Sequence, residues 1–236
     1  MWNTNNLKEQ VNDVLSQYPQ LTVDETDSNQ IRLYGTINVN RSACNYTLQK
    51  NYLIEILLPD SDKELPKIKS VDNCIDKSYP HQYKDGTLCL ETDGTVKLRF
   101  IDNFNLIEWM DEYVEPYFFS YEYFSRFGFF PFGERSHGFV GIIESYQDIF
   151  NEKDLSKTYS LLEYASENIY HGHVSCPCGS GLRLRKCHGT SLFPYMTDMR
   201  KKRILQEDLN TIRKEIIAIE LQRRDSKKTK QRYYYQ

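Results

Sequence analysis

The chain has 236 residues, of which 39% are hydrophobic and 14% aromatic, and it carries a formal net charge of −3. That length suits one good-sized domain or a domain plus a small module, with a core whose volume is largely aromatic. No apolar run approaches the roughly 18 residues of a spanning helix, and "MWNTNNLKEQ" has neither the basic start nor the apolar stretch of a secretory signal, so a cytoplasmic protein without membrane partners is expected.

The first predicted element is a helix in "NNLKEQVNDVLSQYP", where Leu7, Val11, Val14, Leu15 and Tyr18 form one stripe. Asn5 or Asn6 is the expected N-cap and Pro19 the stop. Three runs follow, "IRLYGTINV", "YTLQKNYLIEILLP" and "LPKIKSV", separated by polar breaks such as "PDSDKELP". Their β-branched and aromatic content predicts a meander of antiparallel strands. Asp85-Gly86 and Asp93-Gly94 read as two turns, leaving only a short extended piece around Cys89. "NLIEWMDEYVEPYFFSYEYF" then changes to helical spacing, with Leu106, Trp109, Met110, Tyr113 and Val114 on one face and Pro116 kinking or dividing it. A turn-rich aromatic stretch, "RFGFFPFGERSHG", leads to two more helices in "FVGIIESYQDIF" and "SKTYSLLEYASENIY".

The end of the chain has a different character. Residues 198–236 carry 12 Lys and Arg against 6 Asp and Glu, leaving 18 against 27 for the rest. This basic stretch reads as one long helix over about 198–224, with Leu205, Leu209, Ile212, Ile216 and Ile219 spaced like a heptad seam. Two heptads are too few for a coiled coil, so docking on the chain's own body is expected, with helix-mediated dimerisation as the alternative. A basic tail with terminal tyrosines permits charge and stacking with nucleic acid. It contains no base-reading motif, and a solvated helix face explains the same charges, so nucleic acid is not an expected partner.

The six cysteines fall at 44, 74, 89, 176, 178 and 187. Three are scattered and three clustered, which points to metal or catalysis rather than to a disulfide framework. Cys44 and Cys74 have no glycine-turn or histidine neighbours and read as structural. In "CPCGSGLRLRKCH", Cys176, Cys178, Cys187 and His188 supply three thiolates and an imidazole, the four tetrahedral donors a structural zinc ion takes. Gly179 and Gly181 let the chain turn between them, and "LRLRK" places positive charge around negative thiolates. His171 and His173 lie outside this complete set and read as surface residues. The pattern closely resembles the SEC-C motif, a short zinc-binding module near the ends of bacterial proteins, which implies a structural zinc ion and a docking role without catalysis.

In "YPHQYKDGTLCL", a nucleophilic Cys89 would need partial exposure, a thiolate fraction and donors for an oxyanion. Composition alone favours a small buried residue instead. The order of parts decides differently. A helix, a meander, a Pro-His-turn-Gly-x-x-Cys-Leu segment and a Trp-bearing helix resemble the ubiquitin-conjugating (UBC) fold over about residues 5–150. Pro80, Gly86, Cys89 and Leu90 match that family's pattern around its thioester cysteine. Tyr79 replaces its histidine and His81 its asparagine, the residue credited with stabilising the oxyanion. His81 therefore either donates a hydrogen bond or shuttles a proton, or packs against Tyr79 as a turn residue. Asp85 reads as capping its own loop.

Gly128, Pro131, Gly133, Glu134, His137 and Gly138 are similar to a segment of bacterial ubiquitin-conjugating-like proteins of antiviral defence operons. The resemblance implies that His137 approaches the active cleft, against the alternative of a helix-capping surface histidine. The expected architecture is an α+β, UBC-like conjugating domain over 1–170, a zinc module over 171–192 and a basic helix and tail over 193–236. The resemblance implies a transferase carrying a ubiquitin-like protein on Cys89, with an activating enzyme and a protein target as partners. The alternative is a non-catalytic adaptor acting through the zinc module and basic helix.

Overall fold

The computed structural model describes residues 4–24, 31–59, 64–72 and 74–233, and the chain divides into two compact units, residues 1–134 and 135–236. The side chains of Leu7 and of residues 225–236, and residues 60–63 of the expected polar break, lie outside what is described.

The first unit opens with helix α1 (Thr4–Gln17), which already contains Asn5 and Asn6, so neither is its N-cap. Val11, Val14 and Tyr18 are buried, as their spacing requires. The chain then forms one four-stranded antiparallel sheet in the order β1-β2-β3-β4, comprising Leu21–Asp24, Arg32–Ala43, Tyr46–Leu57 and Lys67–Ser70. The meander is as expected, with two additions. β1 is a short edge strand on "LTVD", too brief to show alternation. β2 and β3 run further than their apolar runs, pairing as far as Ala43 with Tyr46. Their two-residue turn has Cys44 at φ 50° and Asn45 at φ 57°, the geometry of a type I′ hairpin.

Leu33, Ile37 and Val39 alternate into the core from β2, facing Tyr52, Ile54 and Ile56 from β3. They are covered by a helix built from α3 (Leu106–Trp109), a π-turn (Met110–Val114) and α4 (Glu115–Phe127). Leu106, Trp109, Met110 and Val114 are buried as the spacing predicts. Pro116 neither breaks nor divides this helix. The π-turn, closed by a Glu115 N–H bond to the Met110 carbonyl, widens the helix just before the proline ring. A polar clamp ties the layers: Tyr18 donates to Glu115 at 2.8 Å, and Arg41 reaches the Asp111 carbonyl at 2.6 Å.

Asp93-Gly94 is not a turn. It forms the first residues of α2 (Asp93–Arg99), because Thr92 caps the Thr95 amide and converts the dipeptide into a helix start.

The second unit comprises α5 (Phe139–Phe150), α6 (Leu155–Glu167), a 3₁₀ turn (Leu184–Lys186), α7 (Gly189–Thr197) and α8 (Met199–Tyr233). Helices α5 and α6, expected to finish a domain over 1–170, instead pack with α7 and α8, so the segment bearing the Cys-His cluster shares their unit. The seam of α8 docks as expected through Leu205, Leu209 and Ile212, which are buried. Tyr146 donates to Asp208 at 2.7 Å within this unit, and Arg213 pairs with Glu163 and Glu167. Ile216 and Ile219 are only half-buried, and among the described residues no helix is long and apolar enough to cross a membrane.

The indole of Trp109 is 1% exposed at the centre of the first unit's core. Trp109→Ala should destabilise that unit by ~3–5 kcal/mol, read as a lowered urea midpoint. An unchanged midpoint would contradict this packing.

Candidate functional site

The second unit gathers the four expected metal-ligating residues. Val174 and Leu184 pair through a Leu184 N–H bond to the Val174 carbonyl at 2.8 Å, and Cys176 donates to Leu182 at 2.8 Å. These bonds close a small hairpin that carries Cys176 and Cys178 at its tip. Gly179 and Gly181 sit at φ 77° and 76°, where any other residue would be strained, and this lets the chain reverse within five residues of Cys176. The 3₁₀ turn then delivers Cys187, and the start of α7 delivers His188.

The ligand atoms of Cys176, Cys178, Cys187 and His188 all lie within 4.8 Å of one another. His188 Nδ1 lies 3.4 Å from Cys176 Sγ and 3.3 Å from Cys187 Sγ, and the Cys178 and Cys187 sulfurs are 3.6 Å apart. Tetrahedral bonds of about 2.3 Å to sulfur and about 2.0–2.1 Å to nitrogen would separate neighbouring ligands by roughly 3.5–3.8 Å. The donor set and its spacing therefore fit a closed four-ligand metal site, and the cluster can bind a metal ion.

The electrostatics of the thiols are uneven. Burial acts to raise the Cys178 thiol, but hydrogen bonds from the Ser180 hydroxyl and amide and from the neighbouring thiols bring it down to about 6. Burial pushes Cys176 up to about 11 despite amide donors from Cys178 and His188. Amides aimed at sulfur favour thiolates. Leu184 is buried between exposed Arg183 and Arg185, so "LRLRK" supplies one core residue and a positive rim. His171 and His173 are exposed, as expected of surface residues.

Cys89 lies in the first unit, in a segment laid against the sheet edge. Thr87 bridges Lys69 of β4, Leu88 donates to the Ile68 carbonyl at 2.9 Å, and Gln82 bridges Leu88. The Asp85-Gly86 turn makes this pairing possible: Gly86 donates to Tyr83, while Asp85 accepts from the Thr87 amide and hydroxyl, both at 3.0 Å. Asp85 thus caps its own loop, as expected. Leu88 is buried, and Cys89 donates its amide to the His81 carbonyl at 2.9 Å. The same carbonyl accepts from Tyr117 at 3.0 Å, which locks the His81 backbone to α4.

The thiol of Cys89 is half-buried. Burial pushes it above its ordinary value; a hydrogen bond with Tyr83 opposes the shift, and Glu91 and Asp93 add to it. Burial, with the two carboxylates adding to it, thus favours the protonated thiol. The imidazole of His81 packs edge-on against Tyr79 and Phe130, with centroids 5.5 and 5.2 Å away, and its Nε2 lies 3.7 Å from Glu134 Oε1. The packing against Tyr79 matches one of the two sequence readings.

His137 is exposed in the second unit, immediately before α5. The helix start is capped by other groups: Phe139 donates to Glu215 at 2.7 Å, and Ser136 bonds Glu144. Two residues near the sites had no distinctive sequence signal. Tyr83 reaches Cys89 only because the turn folds it back, and Tyr117 reaches His81 across a separation of 36 residues.

Protein purified without chelator should hold about one metal ion per chain, and Cys178→Ser should lower that content. Stripping the metal should lower the melting temperature of the second unit, which circular dichroism would follow. Cys89 should react with a maleimide more slowly than exposed Cys44 at neutral pH, and faster as pH rises. Equal rates, followed by mass spectrometry of peptides, would contradict the protonated thiol. No protein-family model matches this chain, no curated protein matches it, and no solved structure matches it.

Proposed function

We propose that the chain is a ubiquitin-conjugating-like transferase in which Cys89 carries a ubiquitin-like protein as a thioester. The observation that carries this reading is the placement of Cys89. The segment follows a helix and a four-stranded antiparallel meander, is stitched to the last strand, and precedes the Trp109-bearing helix. With Pro80, Gly86 and Leu90 matching the motif, this order of parts supports the resemblance to that family. Its partners would be an activating enzyme, the modifier and a target amine. A role in bacterial antiviral defence would follow from the similarity around Gly128–Gly138, and the setting would be cytoplasmic.

The chemistry asked of the chain is limited. An activating enzyme's thioester would be attacked by the Cys89 sulfur, which loses its proton as the other thiol leaves. A target amine would then displace Cys89, and the thiolate recovers the proton the amine releases. His81 shares the paired backbone with Cys89 and would offer an imidazole N–H where the family has an amide. His137 is assigned to the same cleft by resemblance alone. The metal in the Cys176, Cys178, Cys187 and His188 site would be zinc with a structural role, since four protein ligands leave no open position.

Two observations favour the adaptor reading: burial, with Glu91 and Asp93 nearby, pushes the Cys89 thiol above its ordinary value, and the family's histidine and asparagine positions hold Tyr79 and His81. Incubation with ATP, a cognate activating enzyme and a ubiquitin-like protein separates the two. A carrier gives a thiol-sensitive adduct that Cys89→Ala abolishes and Cys89→Ser converts to a thiol-resistant ester. An adduct that persists in Cys89→Ala rejects Cys89, and no adduct at all favours the adaptor.

A further inference from the structure

We infer that Glu152 is the positioning residue of the metal centre: its carboxylate faces His188 Nε2 and holds the imidazole with Nδ1 turned to the three thiols. The inference rests on the metal-binding reading of those four ligands, and it concerns a residue 24 positions before the first of them.

The two ring nitrogens of His188 have different surroundings. Nδ1 points into the cysteine cluster, 3.4 Å from Cys176 Sγ and 3.3 Å from Cys187 Sγ. Nε2 points the other way, 3.7 Å from Glu152 Oε2, and the two side chains are only 13% and 16% exposed. A neutral imidazole has one N–H and one lone pair, and the lone pair must be on the nitrogen that ligates. A carboxylate facing Nε2 across 3.7 Å favours the proton there electrostatically and leaves Nδ1 basic. This is how carboxylates behind metal-bound histidines raise ligand strength.

Glu152 is itself fixed. Its Oε1 accepts the amides of Lys153 at 2.9 Å and Asp154 at 3.1 Å, leaving Oε2 for His188. The backbone around it is pinned as well. Its N–H donates to the Gln147 carbonyl at 3.0 Å, its carbonyl accepts from Thr158 at 3.4 Å, and the Gln147 side-chain amide donates to the Lys153 carbonyl. Asn151 just before it is left-handed, at φ 55°, which aims the loop. A carboxylate needed only to cap its own loop would be satisfied by the two amides. The orientation of Oε2 toward a largely covered imidazole is an additional constraint, and it joins the α5–α6 loop to the ligand cluster.

The test uses Glu152→Gln in the full zinc-loaded chain, with Glu152→Ala beside it. In the glutamine variant the side-chain oxygen can still accept the two loop amides, so the loop survives. Its NH₂ group then faces the imidazole N–H, donor against donor. Zinc affinity, measured by competition with a chromophoric chelator, should fall by about 10–100-fold in both variants. In histidine-labelled protein saturated with zinc, the His188 Nε2 nitrogen resonance should shift in Glu152→Gln. Affinity within about twofold of the parent in Glu152→Gln would overturn the assignment. A weakened site with an unmoved His188 resonance would overturn it too, leaving Glu152 a loop residue only. A parent chain that retains no zinc would fail at the metal reading itself and overturn this inference with it.

Discussion

Burial of the inner face of the β2–β3 hairpin under the Leu106–Phe127 helix is the constraint on which the first unit depends. Twelve residues of each strand pair in one register, and that register sends Leu33, Ile37, Val39, Tyr52, Ile54 and Ile56 to the same side. A slip of one residue would turn the three core residues of one strand outward while those of the other stayed in. Trp109, Met110, Val114 and Phe118 cover this face, with Phe118 stacked on Tyr52 at 4.1 Å. Keeping those residues on one stripe past Pro116 is what the π-turn achieves: it adds a residue to the turn where the proline removes an amide donor. The segment bearing Cys89 inherits its position from this arrangement. It bridges the outer edge of β4, and Tyr117 of the covering helix holds the His81 carbonyl.

The second unit solves its packing by other means. Helices α5, α6 and α8 bury ordinary apolar stripes, but the stretch from His171 to Gly189 contributes few large side chains to a core, chiefly Leu184. A metal ion held by four ligands would supply the cross-links that such a segment cannot obtain from hydrophobic area. Cys176 and Cys178 are nevertheless 4% and 6% exposed, so the sulfurs sit in the core rather than on a surface knuckle. Binding of a metal ion there would therefore be part of the same folding problem as helix packing in this unit.

Much of this was legible in the sequence because it depends on local spacing. The stripes of α1, of the Trp109 helix and of α8, the strand meander and the Cys-His cluster all follow from periodicity or from ligand spacing. What was not legible depends on contacts between distant residues or on a single competing local bond. Asp93-Gly94 reads as a turn until Thr92 captures the Thr95 amide and starts a helix. The β2–β3 turn hides because Cys44 and Asn45 adopt positive φ without a glycine to announce it. Helices α5 and α6 look like the end of the first domain, since nothing local records that their apolar faces meet α7 and α8. Glu152 gave no signal because its partner lies 36 residues further along the chain.

The raised pKa of the Cys89 thiol, caused first by burial, has two consequences that pull in opposite directions. A protonated thiol attacks slowly, because the thiolate is the nucleophile. A thiol of high pKa is also a poor leaving group, so a thioester formed on it resists water and stray amines. For a protein that only binds partners, both consequences are without function. For a carrier they are complementary, since slow loading can be compensated by an activating enzyme that presents the acyl group at high local concentration. Slow loss is what an intermediate needs while it finds its target. The acidic pair Glu91 and Asp93 then has a reason to stand beside the sulfur, and Tyr83 a reason to oppose them. On the carrier reading, release must come from a group that arrives with the target or from His81, because the resting surroundings of Cys89 favour keeping the acyl group where it is.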